Sequence, residues 1–275
     1  MDNIKISIVT ICFNAQKDID RTINSVLNQS YQNIEYIVID GGSTDGSLDI
    51  IKKYSNQISY WVSEPDKGIY DAMNKGVAAA NGLYVGFINA GDFYYSSSAI
   101  RDIFDAKYES LPDVIYGYRV HSYAYGDFVR KKMDISNLNK FMPFGHPASF
   151  VKTDLLKSKG FDTSFKIAAD YNLFYNLYKE GHSFEHRNVI VSVFDSTGIS
   201  NSNRLLAIKE TASINGSANT YELYRLCIRI WMADFVKKVL RIMSPSIYMK
   251  LNQRRRNTNS EYVELKKFLC EFTNS

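Results

Sequence analysis

Cysteine, proline and long apolar runs are all scarce in this 275-residue sequence, and each scarcity excludes something. The three cysteines, Cys12, Cys227 and Cys270, are far apart, odd in number and outside any metal-ligand spacing, so neither a disulfide framework nor a zinc site is expected. No apolar stretch approaches the roughly 20 residues that a spanning helix requires. Met1-Asp2-Asn3 runs straight into an apolar segment, without the basic region or cleavage site of a signal peptide, which points to the cytosol. The G-x-x-x-x-G-K-[ST] phosphate loop is missing, and no G-x-G-x-x-G follows the first apolar segment, which argues against P-loop and dinucleotide-binding proteins. Internal repeats and low-complexity tracts are also absent.

What remains is an ordinary globular composition, 45% hydrophobic and 23% charged, sufficient for a substantial core. Strand-like runs at 4–12, 34–40, 58–64 and 83–89 alternate with helix-like stretches at 17–29, 47–54 and 70–80. This alternation implies crossovers, a mainly parallel sheet covered on both faces, and an α/β fold. From Asp113 the pattern loosens: strands are expected at 114–120, 125–133 and 188–194, a helix at 169–180 and a linker helix at 201–217. The reading divides the chain into a catalytic domain over 1–200, with halves 1–112 and 113–200, and a helical, basic region over 201–275.

Open parallel sheets bind ligands beyond the carboxyl ends of their strands. Here those ends read Thr10-Ile11-Cys12-Phe13-Asn14, Asp40-Gly41-Gly42-Ser43-Thr44-Asp45, Ser63-Glu64-Pro65-Asp66 and Asn89-Ala90-Gly91-Asp92. Acids gathered on one rim repel unless a cation or a donor-rich ligand joins them. Hard oxygen ligands without a His/Cys cluster favour Mg²⁺ or Mn²⁺, completed by substrate phosphates. Each acid also has a bland alternative as a turn residue or helix cap, Asp45 above all.

The ordered segments 7–14 (Ser-Ile-Val-Thr-Ile-Cys-Phe-Asn), 38–47 (Val-Ile-Asp-Gly-Gly-Ser-Thr-Asp-Gly-Ser), 63–76 (Ser-Glu-Pro-Asp-Lys-Gly-Ile-Tyr-Asp-Ala-Met-Asn-Lys-Gly) and 86–92 (Gly-Phe-Ile-Asn-Ala-Gly-Asp) resemble family 2 of the glycosyltransferases over about residues 4–200. The branch building O-antigen and other surface polysaccharides is the nearest in pattern. The resemblance implies a GT-A fold, a Rossmann-type sandwich, with a UDP-sugar donor and inversion at the anomeric carbon. It places Thr10, Asn14, Asp40, Asp66 and Asn89 around the nucleotide, with Asp40 accepting from the uracil edge. Asp92 becomes the metal-binding acid. Asp170, in Ala168-Ala169-Asp170-Tyr171, resembles the catalytic base; capping of the following helix is its alternative role. His146, in Phe-Gly-His-Pro, and Glu64 are candidates for acceptor or phosphate contacts, and a structural hydrogen bond is the alternative for His146. The implied reaction moves glucose or galactose, or secondarily an amino sugar, to an undecaprenyl-diphosphate-linked saccharide, giving a β-linked product. Two other readings stay open: a non-catalytic sugar-nucleotide-binding subunit of a synthesis complex, and a nucleotidyltransferase, whose usual glycine- and lysine-rich loop is missing.

The chain departs from the family pattern at Gly91, where a second acid often precedes the last, and no late histidine stands out as a metal ligand; His182 and His186 read as surface residues. Between Asn219 and Arg256, nine basic residues face two acids, a net +7 that leaves −3 for the rest of a chain whose formal charge is +4. Tyr221, Tyr224, Ile228, Trp231, Phe235, Val239 and Ile242 form one helical stripe there, and Pro245 is expected to stop the helix. The stripe is expected either to dock on the catalytic domain or a second subunit, making a homodimer, or to lie on an anionic membrane at its inner face. Nucleic acid is not expected, because the tail lacks a recognition motif.

Overall fold

The computed structural model describes residues 4–105, 111–131, 133–195, 203–218, 221–257, 259 and 261–272. In chain order the elements are β1 Ile6–Cys12, α1 Ile19–Leu27, β2 Ile34–Asp40, α2 Ser47–Lys53, β3 Tyr60–Ser63, α3 Ile69–Ala79, β4 Tyr84–Phe87, β5 Phe93–Tyr94 and α4 Ala99–Phe104. They continue with β6 Val114–Tyr123, β7 Gly126–Arg130, β8 Ser149–Lys152, α5 Thr153–Lys159, α6 Ala169–Lys179 and β9 Phe184–Asp195. The last are α7 Arg204–Ile214, α8 Tyr221–Met243, α9 Pro245–Asn257, β10 Tyr262–Glu264 and α10 Leu265–Phe272.

Two compact units result, Met1–Arg119 with Phe144–Phe194, and Val120–Pro143 with Asp195–Ser275. In the first unit β1 pairs in parallel with β2 and β4, and β2 with β3. Antiparallel pairs continue from β4 to β8 and from β8 to the first residues of β6. The α/β fold is thus a mixed sheet with a parallel block, β3-β2-β1-β4. Every residue of β1 is buried, as a strand covered by helices on both faces requires. Its Ile8 packs in one cluster with Ile19, Ile23 and Val26, the apolar face of α1. The short β5 pairs with β9, a strand longer than its expected span.

The second unit departs from the expected division at residue 200. Its β7 pairs with the end of β6 and with β10, so the hairpin at 120–130 groups with the C-terminal helices. The stripe-bearing helix α8 ends at Met243, just ahead of Pro245 as expected, and Pro245 then opens α9, where its missing N–H costs no hydrogen bond.

Candidate active site

The parallel block brings its strand ends into register. Cys12 lies opposite Asp40, Asp40 opposite Ser63, and Ala90 N–H donates to Ile11 O at 3.0 Å. The segments following β1, β2, β3 and β4 therefore share one rim, and Asn14, Asp40, Glu64, Asp66, Asn89 and Asp92 all belong to it. Thr10 and Asp40 differ from expectation. Thr10 is wholly buried, its Oγ1 donating to Ile88 O at 2.8 Å beside the Tyr36 hydroxyl, so it lies beneath the rim instead of lining a pocket. Asp40 is 0% exposed and accepts from Ser43 N–H (2.9 Å), Ser43 Oγ (2.5 Å) and Ser63 Oγ (2.6 Å). A carboxylate this fully engaged fastens its loop; the expected acceptor for a uracil edge is not open at Asp40. Burial, and then the neighbouring Asp40 charge, push the Cys12 thiol up to about 12, which leaves no thiolate nucleophile here.

Above this floor Asn14 crosses from one loop to the next. Its side-chain oxygen accepts from Thr44 N–H at 2.9 Å and its own N–H donates to Ser43 Oγ at 2.8 Å. Its φ of 48° is left-handed, a conformation asparagine tolerates better than most residues. Phe13 beside it is 62% exposed. Asp66 leans over Gly41, with Oδ2 only 2.3 Å from where a Cβ on Gly41 would stand, and Phe13 borders the same space. Only glycine at 41 admits the carboxylate in this position. Glu64 is paired with Lys75 at 2.7 Å, and its expected phosphate contact meets that lysine first. Asp45 accepts from Gln16 N–H and from Ser47 N–H and Oγ, a turn role just ahead of α2, whose cap position is held by Gly46.

The turn after β4 is held from α1. Arg21 donates to Gly91 O at 2.9 Å and lies over the Phe93 ring, while Thr22 Oγ1 accepts from Gly91 N–H (3.1 Å) and donates to Asp92 O (2.7 Å). Asn89 Oδ1 is buried without a hydrogen-bond partner in the same turn, whose Asp92 N–H donates to Asn89 O. A buried oxygen lacking a donor, in the turn that carries Asp92, is the kind of ligand a hard cation takes. Among the described residues no group of three His, Cys, Asp or Glu side chains gathers to hold a metal. An ion bound at Asp92 and Asn89 would need ligand phosphates to complete its shell. His182 is instead committed to Asp113 at 3.1 Å, and half-buried His186 packs on Tyr116 and Tyr118.

Asp170 stands in the first turn of α6, its Oδ1 accepting from Tyr171 N–H and lying 3.4 Å from the Tyr70 hydroxyl, which donates mainly to Ile167 O. An aromatic cluster ties this corner to β4: Tyr70 stacks on Phe161, Phe161 meets Phe87 edge-on, and His146 stacks on Phe87 at 4.9 Å. Burial holds the His146 imidazole below its ordinary range; the Asp170 charge pulls it up and the Arg119 charge down. Arg119, close against Gly145 and over the Phe194 ring, escaped the sequence reading because nothing in its strand marks it. Tyr70, by contrast, lies inside segment 63–76 and could have been found there.

A model of the family described as "Glycosyl transferase family 2" matches residues 7–169. The sequence is 34% identical over 201 residues to the uncharacterized glycosyltransferase Rv1514c of Mycobacterium tuberculosis, covering 70% of this chain and 76% of that one. Among solved structures, Staphylococcus aureus TarS 1–349 in complex with UDP-GlcNAc superposes with a TM-score of 0.62 at 20% identity, over 91% of this chain and 77% of that one. The mannosyltransferase PcManGT from Pyrobaculum calidifontis, in complex with GDP-Man and Mn²⁺, gives 0.58 at 16% identity, over 77% and 63% of the two chains. These superpositions agree with a GT-A-like fold. With the family model spanning more than half of its length, the chain belongs to glycosyl transferase family 2.

Proposed function

We propose that this chain is an inverting, metal-assisted hexosyltransferase that moves glucose or galactose from UDP onto a saccharide carried on a lipid diphosphate. Its setting in this reading is O-antigen or other surface polysaccharide synthesis at the inner face of the cell membrane. The observation carrying it is the rim turn at Asn89–Asp92, where the Asn89 side-chain oxygen is buried without a hydrogen-bond donor.

In this reading Asp66 accepts from the uracil imide N–H, with Phe13 and Asn14 beside the base, while Thr10 and Asp40 support the loops from beneath. Asp92 and the Asn89 oxygen would hold Mn²⁺ or Mg²⁺, which when bound would supply positive charge to stabilise the departing diphosphate. Asp170 takes the proton of the acceptor hydroxyl as that oxygen bonds to the anomeric carbon, and the bond from that carbon to the UDP oxygen breaks with its electron pair leaving on UDP. One displacement inverts the centre. His146, neutral because it is buried, orients the acceptor next to Asp170 without adding charge.

Asp170→Asn tests the assignment, because the amide keeps the shape and cannot take the proton. Transfer from UDP-glucose or UDP-galactose is expected to fall by about 10²–10⁴-fold, with UDP binding retained. Full turnover by this variant would remove Asp170 as the base. A wild-type protein that binds UDP with Mn²⁺ yet transfers to none of the lipid-linked acceptors would favour the non-catalytic subunit, a reading that Gly91 supports by leaving the rim one acid short.

A further inference from the structure

Helix α8 leaves a long apolar face uncovered. Ile230 is buried on one side. On the other, Tyr224, Ile228, Trp231, Phe235, Val239 and Ile242 form a continuous exposed stripe, with Trp231 62% and Phe235 60% exposed and their rings stacked at 6.2 Å. A contiguous run of exposed aromatic and aliphatic side chains of this kind marks an interaction surface. Exposed cations border both of its long edges, Arg225 and Arg229 on one side and Lys238 on the other. A mainly apolar groove of about 330 Å³ opens beside it between α8 and α9, with Met232, Val236, Leu240, Tyr248, Leu251 and Arg255 among its lining residues.

From this pattern we infer that the exposed face of α8 is a docking surface for an anionic lipid bilayer, with the aromatic rings among the headgroups and the flanking cations on lipid phosphates. Charge selects this occupant. Two copies pairing through the same face would bring cation-bordered stripes together, whereas an anionic surface complements both borders at once. A hydrocarbon chain also conforms to a shallow groove that a rigid partner would have to match. No helix among the described residues is long and apolar enough to cross a membrane, so α8 lies along the surface. The inference rests on the transferase reading only in giving a lipid-borne acceptor a place to be met; its test needs no turnover.

The full chain is mixed with vesicles of phosphatidylcholine alone or with phosphatidylglycerol added, and bound protein is measured by co-sedimentation. Binding is expected only with phosphatidylglycerol and should weaken as salt rises. The double variant Trp231→Ser/Phe235→Ser, at exposed positions that do not hold the fold, is expected to lose at least about tenfold in partitioning while still being heat-stabilised by UDP and Mn²⁺. Asp170→Asn should bind vesicles like the wild type, so a failed catalytic assignment and a failed surface assignment remain distinguishable. Equal partitioning of the double variant, or no binding to the anionic vesicles, overturns the inference. So does a concentration-dependent dimer that the double variant abolishes, because the face would then belong to a second copy.

Discussion

Gly91 adopts φ +107°, a backbone conformation that side-chain-bearing residues rarely enter, although no atom stands within 4 Å of where its Cβ would be. The family often places an acid here, and the backbone explains why this chain does not: the turn that presents Asp92 is built on a glycine. Gly91→Asp is therefore expected to cost about 1–3 kcal/mol in urea unfolding, from backbone strain alone, and to leave Mn²⁺ affinity no tighter. A variant as stable as the wild type that binds Mn²⁺ more tightly would refute this. At the far end of the same strands Glu35 reports on pH. Burial would raise its carboxyl, but hydrogen bonds from Lys5, Ser7 and Asn81 outweigh that and hold it down at about 2. A depressed carboxyl contributes stability that is complete above its ordinary value near 4.5 and disappears as pH falls toward 2. With Lys5 partly in water, Glu35→Gln should cost about 2 kcal/mol at pH 7, and the gap should close in that acid window. Residue identity made the rim acids legible, but not the fate of their oxygens. Asp40 and Asp66 look equivalent in sequence; only Ser43, from the following loop, and Ser63, from the end of β3, converging on Asp40, make one a fastener and leave the other over Gly41.

Among the elements, α1 reaches beyond its packing role. Arg21, Thr22 and Ser25 share the face that meets the turn after β4, and together they satisfy Gly91 N–H, Gly91 O, Asp92 O and Tyr94 N–H. The Thr22 hydroxyl both accepts and donates in that set, which makes it a positioning residue for Asp92. Thr22→Val keeps the volume but strands a buried N–H and a carbonyl, a loss of about 1–3 kcal/mol concentrated at the turn. It should weaken Mn²⁺ binding in the presence of UDP severalfold while UDP alone binds as before, and Thr22→Ser should restore the metal affinity. Equal Mn²⁺ affinities in wild type and Thr22→Val would show that the hydroxyl serves stability alone. The sequence reveals this helix through Ile19, Ile23, Val26 and Leu27, and the fully buried β1 and β2 through their unbroken apolar runs. It does not reveal β5 or β10, two and three residues long, because so short a segment has no period to read and exists only by pairing with β9 or β7.

Across the whole molecule, the charge and composition shift near residue 200 suggested a boundary that the backbone does not respect. The hairpin strand β7 takes β10 as its neighbour, with Val129 opposite Val263, and Arg130 is paired with Glu261 at 2.9 Å. Arg256 lies over the Tyr262 ring and hydrogen-bonds the Tyr123 hydroxyl, closing the same unit. Sequence cannot show such a closure, since the partners are more than 130 residues apart and neither segment is periodic. The consequence is testable with a chain cut after residue 200, the boundary that composition alone would recommend. Removing β10 and α10 leaves β7 as an open edge and uncovers Phe128 and Val129, now 1% and 0% exposed. It also deletes Val263 and Phe268, whose burial contributes roughly 1.5–3 kcal/mol each. Residues 1–200 alone are therefore expected to aggregate on gel filtration and to unfold at lower urea than residues 1–272. A monomeric, equally stable 1–200 fragment would show that the hairpin needs no C-terminal partner.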